Sequence, residues 1–249
     1  SLKYGFGTYI HYIKGFLTEK TNTESKAVLN KLLHLATGSK NRVYLDTIIS
    51  PSYTSAIAQV IQLSGISGKG NNMILFEFSE SNPESLTEAL STHEILYATG
   101  FDLCVLSTSY RGFGYKKQIH IWIQPDDFDN ANLMILLGYI ILGHPEWNEG
   151  IIKVYVLYQP SQAEKKRDEL QKLIKEGRLP ISMGNISMVS ASEEKTNRQV
   201  IGETSVDADL TIIGFRHEQV RKEGYKTYTE YDKLGNILFV SANTKKEIK

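Results

Sequence analysis

The feature that most limits what this chain can fold into is a regular alternation. Short runs of β-branched and aromatic residues are separated by longer stretches of helical periodicity, recurring about every 30 residues, the spacing of a βαβ unit. Tyr9–Ile13, Val43–Ile49, Met73–Phe76 and Leu103–Leu106 read as strands. Between them, Glu24–Leu35, Ser52–Leu63 and Pro83–Ala98 read as helices, the first with Ala27, Val28, Lys31, Leu32 and Leu35 on one face. Thr21-x-x-Glu24 has the form of a capping box, Pro51 and Pro83 stand in first turns, and Gly65 follows the end of the second helix.

Arg111-Gly-Phe-Gly-Tyr-Lys-Lys117 interrupts the pattern, and a second series opens at Ile119–Ile123. It continues with a helix over Phe128–Leu142, a strand over Ile151–Leu157, a helix over Ser161–Lys175 and a strand over Ile186–Val189. A helix over Glu193–Ser205 and strands over Leu210–Ile213 and Ile237–Val240 complete it, the last after a turn at Leu234-Gly235-Asn236. Pro160 opens the Ser161 helix, Lys165 and Glu169 lie four apart along it, and Gly177 and Pro180 stop it. The expectation is an α/β chain of two tandem lobes, residues 1–115 and 116–249, each a mostly parallel sheet flanked by helices.

Composition narrows the function classes. Of 249 residues, 28 are Lys or Arg and 28 Asp or Glu, and each half is close to neutral, so no basic surplus marks a nucleic-acid or anionic-membrane surface. One cysteine, Cys104, excludes an intramolecular disulfide and suits a reducing compartment. The longest uncharged apolar stretch, Asn130–Gly143, has 14 residues, short of the roughly 20 of a membrane span. The start, Ser1-Leu-Lys-Tyr4, has neither the basic opening nor the apolar core of a secretion signal and reads as a piece of a longer chain.

The chemistry-bearing residues form no catalytic constellation. Cys104 sits in an apolar run, where burial raises a thiol pKa rather than activating it. His11, His34, His93, His120, His144 and His217 show no metal-ligand spacing, and His11 and His120 read as structural strand residues. Asp126, Asp127 and Asp129 lie at the carboxyl end of a strand, where ligands bind in α/β sheets, but also where acids cap the following helix. Gly65-Ile-Ser-Gly68-Lys-Gly70 follows a helix instead of preceding one, so it is no phosphate loop. Ser107–Gly114 is the best candidate ligand loop, with an interlobe linker as its plainer account. The helix at 128–142 is apolar nearly all round, which calls for burial on two sides or a subunit interface. Lys165-Lys166-Arg167, among Glu164, Asp168 and Glu169, reads as a solvated face. No metal, cofactor or catalytic residue is assigned.

Val60-Ile-Gln-Leu-Ser-Gly-Ile-Ser-Gly68 followed by Asn71-Asn-Met-Ile-Leu75 resembles the stretch of cation-chloride cotransporters in which a helix meets a Gly-rich loop and a strand. Tyr12–Leu17 is similar to the segment that opens their carboxy-terminal domain. Ile119–Ile123 with Asp126-Asp127, the Leu133–Tyr139 helix, Trp147 and the Ile151–Val156 strand resembles a later part of that domain, so the likeness is collinear over about residues 9 to 215. The resemblance implies two lobes like universal stress proteins, a homodimer, and a regulatory and assembly domain on the cytoplasmic side of the membrane. It would belong to an electroneutral transporter of Na⁺ or K⁺ with Cl⁻, the ions crossing elsewhere in the same polypeptide. The chain lacks the long Ser/Thr-rich insertion of many animal members and is nearer a prokaryotic one. The alternative is a stand-alone nucleotide-binding protein of the universal-stress type, although the paired-glycine fingerprint is not completed after Gly112 and Gly114.

Overall fold

The computed structural model describes residues 7–37, 43–63, 71–79, 81–125, 127–176, 183–191 and 194–244. The glycine-rich 65–70 segment, Asp126, Gly177 and Pro180 lie outside them. The chain folds into two compact units, residues 1–72 with Ser91–Ile95, and residues 73–90 with 96–249.

In the first unit, β1 (Gly7–Lys14) and β2 (Val43–Ser50) pair in parallel, Tyr9 opposite Leu45. They are joined by α1 (Glu19–Ala36) and followed by α2 (Tyr53–Val60). α1 begins earlier than its Thr21-x-x-Glu24 pattern predicts. Thr18 is the N-cap: its hydroxyl accepts from Thr21 N at 3.2 Å, and Thr18 N donates back to Thr21 Oγ1 at 2.9 Å. A threonine at N3 thus completes the box in place of glutamate. The packed face is also rotated. Val28, Leu29 and Leu32 are half-buried and Ser25 meets Thr47 at 2.6 Å, whereas Ala27, Lys31 and Leu35 are exposed. Pro51 precedes Ser52, the N-cap of α2.

The second unit is built on seven strands in the order β3-β4-β9-β8-β5-β6-β7. They are β3 (Met73–Ser79), β4 (Asp102–Thr108), β5 (Gln118–Ile123), β6 (Ile151–Tyr158), β7 (Ile186–Ser190), β8 (Leu210–Gly214) and β9 (Asn236–Ser241). All neighbours are parallel except β4 and β9. The order over β5 to β9 is that of a doubly wound α/β sheet, with the direction of winding reversing between β5 and β8. The α/β, mostly parallel expectation holds. The 115/116 boundary falls in the turn between β4 and β5, but the sheet runs across it because β4 is hydrogen-bonded to β9.

The helices of this unit are α3 (Glu84–Ala98), which also supplies Ser91–Ile95 to the first unit, α4 (Phe128–Leu142), α5 (Ala163–Glu176), α6 (Asn197–Thr204) and α7 (His217–Glu223). α4 occupies the residues its pattern predicts; Asp129 and Ile140, the latter at 45% exposure, are left to solvent. Its buried face packs on the sheet: Leu133, Met134 and Leu137 join Ile121, Val154 and Ile212 in one core. α7 has no counterpart among the helices the sequence predicts; with Val220 its one aliphatic residue, it carries no readable stripe.

The opposite face of the sheet is polar and aromatic. Trp122 Nε1 donates to Ser205 Oγ at 2.8 Å, and Ser205 Oγ lies 2.9 Å from His120 Nδ1. Gln118 Oε1 can only accept, so in the neutral ring Nε2 carries the proton and Nδ1 accepts from Ser205. His120 is then the Nε2–H tautomer, donating to Gln118 Oε1 at 3.2 Å, which Lys153 Nζ also reaches at 3.1 Å. Burial, then Lys153, lowers the His120 pKa from 6.5 to about 4 against the opposing pull of Asp207 and Asp209. A histidine held neutral in the fold contributes stability above its unfolded pKa of 6.5, lost as pH falls through the folded value near 4. The urea midpoint of the protein should therefore fall more between pH 7 and about 4.5 than that of His120→Gln; parallel declines would refute the assignment.

Candidate functional site

In a doubly wound sheet the ligand crevice lies outside the carboxyl ends of the strands that flank the reversal. Here those ends are Ile123, followed by Asp127 at the start of α4, and Gly214, followed by Phe215. Asp127 stands at the N-cap of α4 but makes no side-chain cap. It is buried at 4% exposure, with its carboxylate against Gly214, where an added Cβ would collide with both oxygens. Asn130 Nδ2 donates to Asp127 Oδ1 and, at 2.9 Å, to Phe215 O, while its own Oδ1 accepts from Ala242 N at 2.7 Å. This one buried amide ties the start of α4 to the ends of β8 and β9. The expected helix cap is thus a bolt across the crevice, and Asp129 is the acid left in the first turn.

Neighbouring groups hold the closure from two sides. Lys166 is 8% exposed, with Nζ 2.9 Å from Pro125 O, 2.8 Å from Glu169 and 4.4 Å from the Phe128 ring centre. It departs from the solvated face expected of the Lys165–Arg167 run, anchoring the turn after β5; Lys165, near Glu169 at 3.9 Å, stays in solvent. On the other side, Tyr228 packs edge-on against Phe215 and Phe239, and Tyr231 lies 5.6 Å from Phe239. Burial raises the Tyr231 pKa, Arg198 pulls it back, and the charges of Glu223 and Asp127 add to the rise.

The Ser107–Gly114 loop lies at the opposite end of the strands, beside the beginnings of β5, β8 and β9. Within it Gly112 N donates to Ser109 O at 3.1 Å, and just past it Asp209 accepts from Tyr115 N at 3.0 Å and from Lys117 N and Gln118 N at 2.8 Å. Asn236 Oδ1 accepts from Ser109 N at 2.8 Å and its Nδ2 donates to Gly112 O at 2.6 Å. Gly114, at φ +50, passes so close to Asp209 that a Cβ would overlap the carboxylate. The loop is a clamped connection between β4 and β5 inside the second unit, not a link between the two units. Cys104 is 1% exposed, and burial first, then Asp102, pushes its thiol up to about 12, which makes it inert. His144 caps Glu146 N at 3.3 Å, and the His217 ring stacks on Tyr97 at 3.7 Å.

The sequence points to Asp127 but not to Gly214, Asn130, Asp209 or Asn236, whose roles depend on pairings between distant segments. The approach of Asp127 to Gly214 is directly testable. Gly214→Ala should lose about 1–3 kcal/mol in urea unfolding from overpacking, and adding Asp127→Ala should recover part of it. An alanine at 214 as stable as glycine would show that the carboxylate does not occupy this place.

No family model matches the chain, and no curated protein matches it. Solved structures do. The cytoplasmic domain of a prokaryotic cation chloride cotransporter aligns at TM-score 0.59 and 13% identity, over 98% of this chain and 87% of that one. A protein from Pseudomonas aeruginosa assigned to the universal stress proteins aligns at 0.57 and 13%, over 96% and 93%. A universal stress protein from Archaeoglobus fulgidus aligns at 0.53 and 9%, over 94% and 84%. Among the described residues no helix is long and apolar enough to cross a membrane. The likenesses establish the fold, an α/β architecture shared by a transporter's cytoplasmic domain and by universal stress proteins.

Proposed function

We propose that the chain is a regulatory and assembly domain of an electroneutral cation-chloride cotransporter. It stands on the cytoplasmic side of the membrane, has no catalytic activity, and acts by pairing with a second copy and touching the membrane part of its own polypeptide. The observation that carries this reading is the likeness of the fold to a cotransporter's cytoplasmic domain over nearly the whole of this chain, the family that the motifs over about residues 9 to 215 also resemble. The bolted switch point supports it, because a domain that works through surfaces needs no open crevice. The reading predicts that the frame upstream of the Ser1 codon encodes about a dozen apolar runs of spanning length. A start codon directly before Ser1 would overturn it.

The universal-stress likenesses favour a second reading, a stand-alone adenine-nucleotide-binding protein. Against it stand the Asp127 carboxylate in the crevice, the bonds of Ser109 N and Gly112 N within the 107–114 loop and the uncompleted glycine fingerprint. Calorimetric titration with millimolar ATP should give no binding heat; a saturable heat would move the assignment to this reading. Light scattering at near-millimolar protein should return twice the 28.1 kDa chain mass, and an unchanging monomer would remove strong pairing from the proposal.

A further inference from the structure

The segment between α7 and β9 is held to the body in an unusual way. Over residues 229–234 its backbone hydrogen bonds are local ones, Thr229 N to Lys226 O at 3.4 Å and Leu234 N to Tyr231 O at 2.9 Å. What fastens it to α6 is charge. Arg198 Nη1 donates to Glu230 at 2.5 Å, its Nη2 donates to Glu223 at 2.9 Å and to Lys226 O at 2.8 Å, and its guanidinium lies 5.6 Å from the Tyr231 ring centre. A second pair joins Lys233 to Glu203 at 3.4 Å, and Glu203 is shared with Lys195 at 2.6 Å. Glu230, 52% exposed in its side chain, sits at φ +68, a backbone region that disfavours any residue with a Cβ. Tyr228, by contrast, is a fixed anchor at 3% exposure between Phe215 and Phe239.

We infer that residues 229–233 form a strap along α6, leading from the carboxyl-end side of the sheet to the beginning of β9, whose closure is set by ionic strength. Beside the packing of Tyr231 against Phe239 and its hydrogen bond with Arg198, the geometry supplies two opposed contributions. Backbone strain at Glu230 favours release, while the Arg198–Glu230 and Glu203–Lys233 pairs favour closure. Only the second contribution is screened by salt, because these pairs are partly solvated and the Debye length shrinks from about 30 Å at 0.01 M to about 3 Å at 1 M. Release pivots at Tyr228 and withdraws Tyr231 from beside Asp127 and Phe239. In a domain that governs the movement of salt, such a strap would let the ionic strength of the cytoplasm alter the domain's surface. That use rests on the function proposed above, whereas the opening is a property of the chain itself.

The test places nitroxides at Thr204→Cys and Asp232→Cys in the 249-residue protein, Cys104 being too buried to react. Pulsed electron–electron distance measurement should show a longer-distance population growing about threefold or more between about 0.05 and 0.5 M KCl. Potassium glutamate should act equally, since screening needs no particular anion. Arg198→Gln should be more open at low salt and respond less to added salt, the Glu203–Lys233 pair being left. Glu230→Gln, which alters a more exposed group, gives the same reading should Arg198→Gln fail to fold. A distance distribution unchanged by salt, or a salt response undiminished in Glu230→Gln, would overturn the strap. A salt response would stand even if the upstream frame showed no membrane spans, so the two proposals fail separately.

Discussion

The antiparallel ladder between β4 and β9 is the joint on which the larger unit depends. Parallel strands need crossover helices on both faces of the sheet, and β5 to β9 satisfy that alone. β3 and β4 reach the same sheet only because Leu103–Ser107 pairs with Ile237–Ser241. That pairing reverses the chain direction and delivers the end of β4 to the beginnings of β5 and β8. The turn that follows has to cross those strand beginnings, and Asp209 and Asn236 are the side chains that hold it there. The apparent ligand loop is a product of this joint.

The same sheet shows how a doubly wound topology can close its own switch point with side chains. The reversal between β5 and β8 leaves a crevice in any doubly wound sheet, and something must fill it. Here Asp127 fills it, held by Asn130 from one side and pressed against a residue that must be glycine on the other. A carboxylate where an anionic ligand's phosphate would approach repels that ligand twice, by volume and by charge. The two faces of the sheet divide their work in the same economical way, an aliphatic core under α4 and a hydrogen-bonded chain from Trp122 to Lys153 on the other side.

What is legible in the sequence is whatever depends on near neighbours. α4 and the strands emerge from periodicity because Ile119, Ile121 and Ile123, or Leu133 and Leu137, repeat at the spacing of their own element. The start of α1 is misplaced by its pattern because Thr21 imitates an N-cap while acting as the partner of one. Lys166 reads as one of three solvated cations, since nothing in Lys165-Lys166-Arg167 says which of them faces Pro125. Asp127 is visible as an acid at a helix start, but its role belongs to a glycine and an amide network whose partners lie 85 residues apart in sequence. Pairings of that range leave no local pattern to read.

The β4–β9 ladder also sets an order of events during synthesis. Until residue 241 has left the ribosome, β4 has no partner on one side, and the apolar strand Leu103–Val105 presents a bare edge to whatever other chain is nearby. Asp209 likewise cannot clamp the turn after β4 until some 90 further residues have been made. Nascent chains stalled between these points are therefore the species most exposed to aggregation, and a chaperone that shields strand edges would act on this protein in that interval.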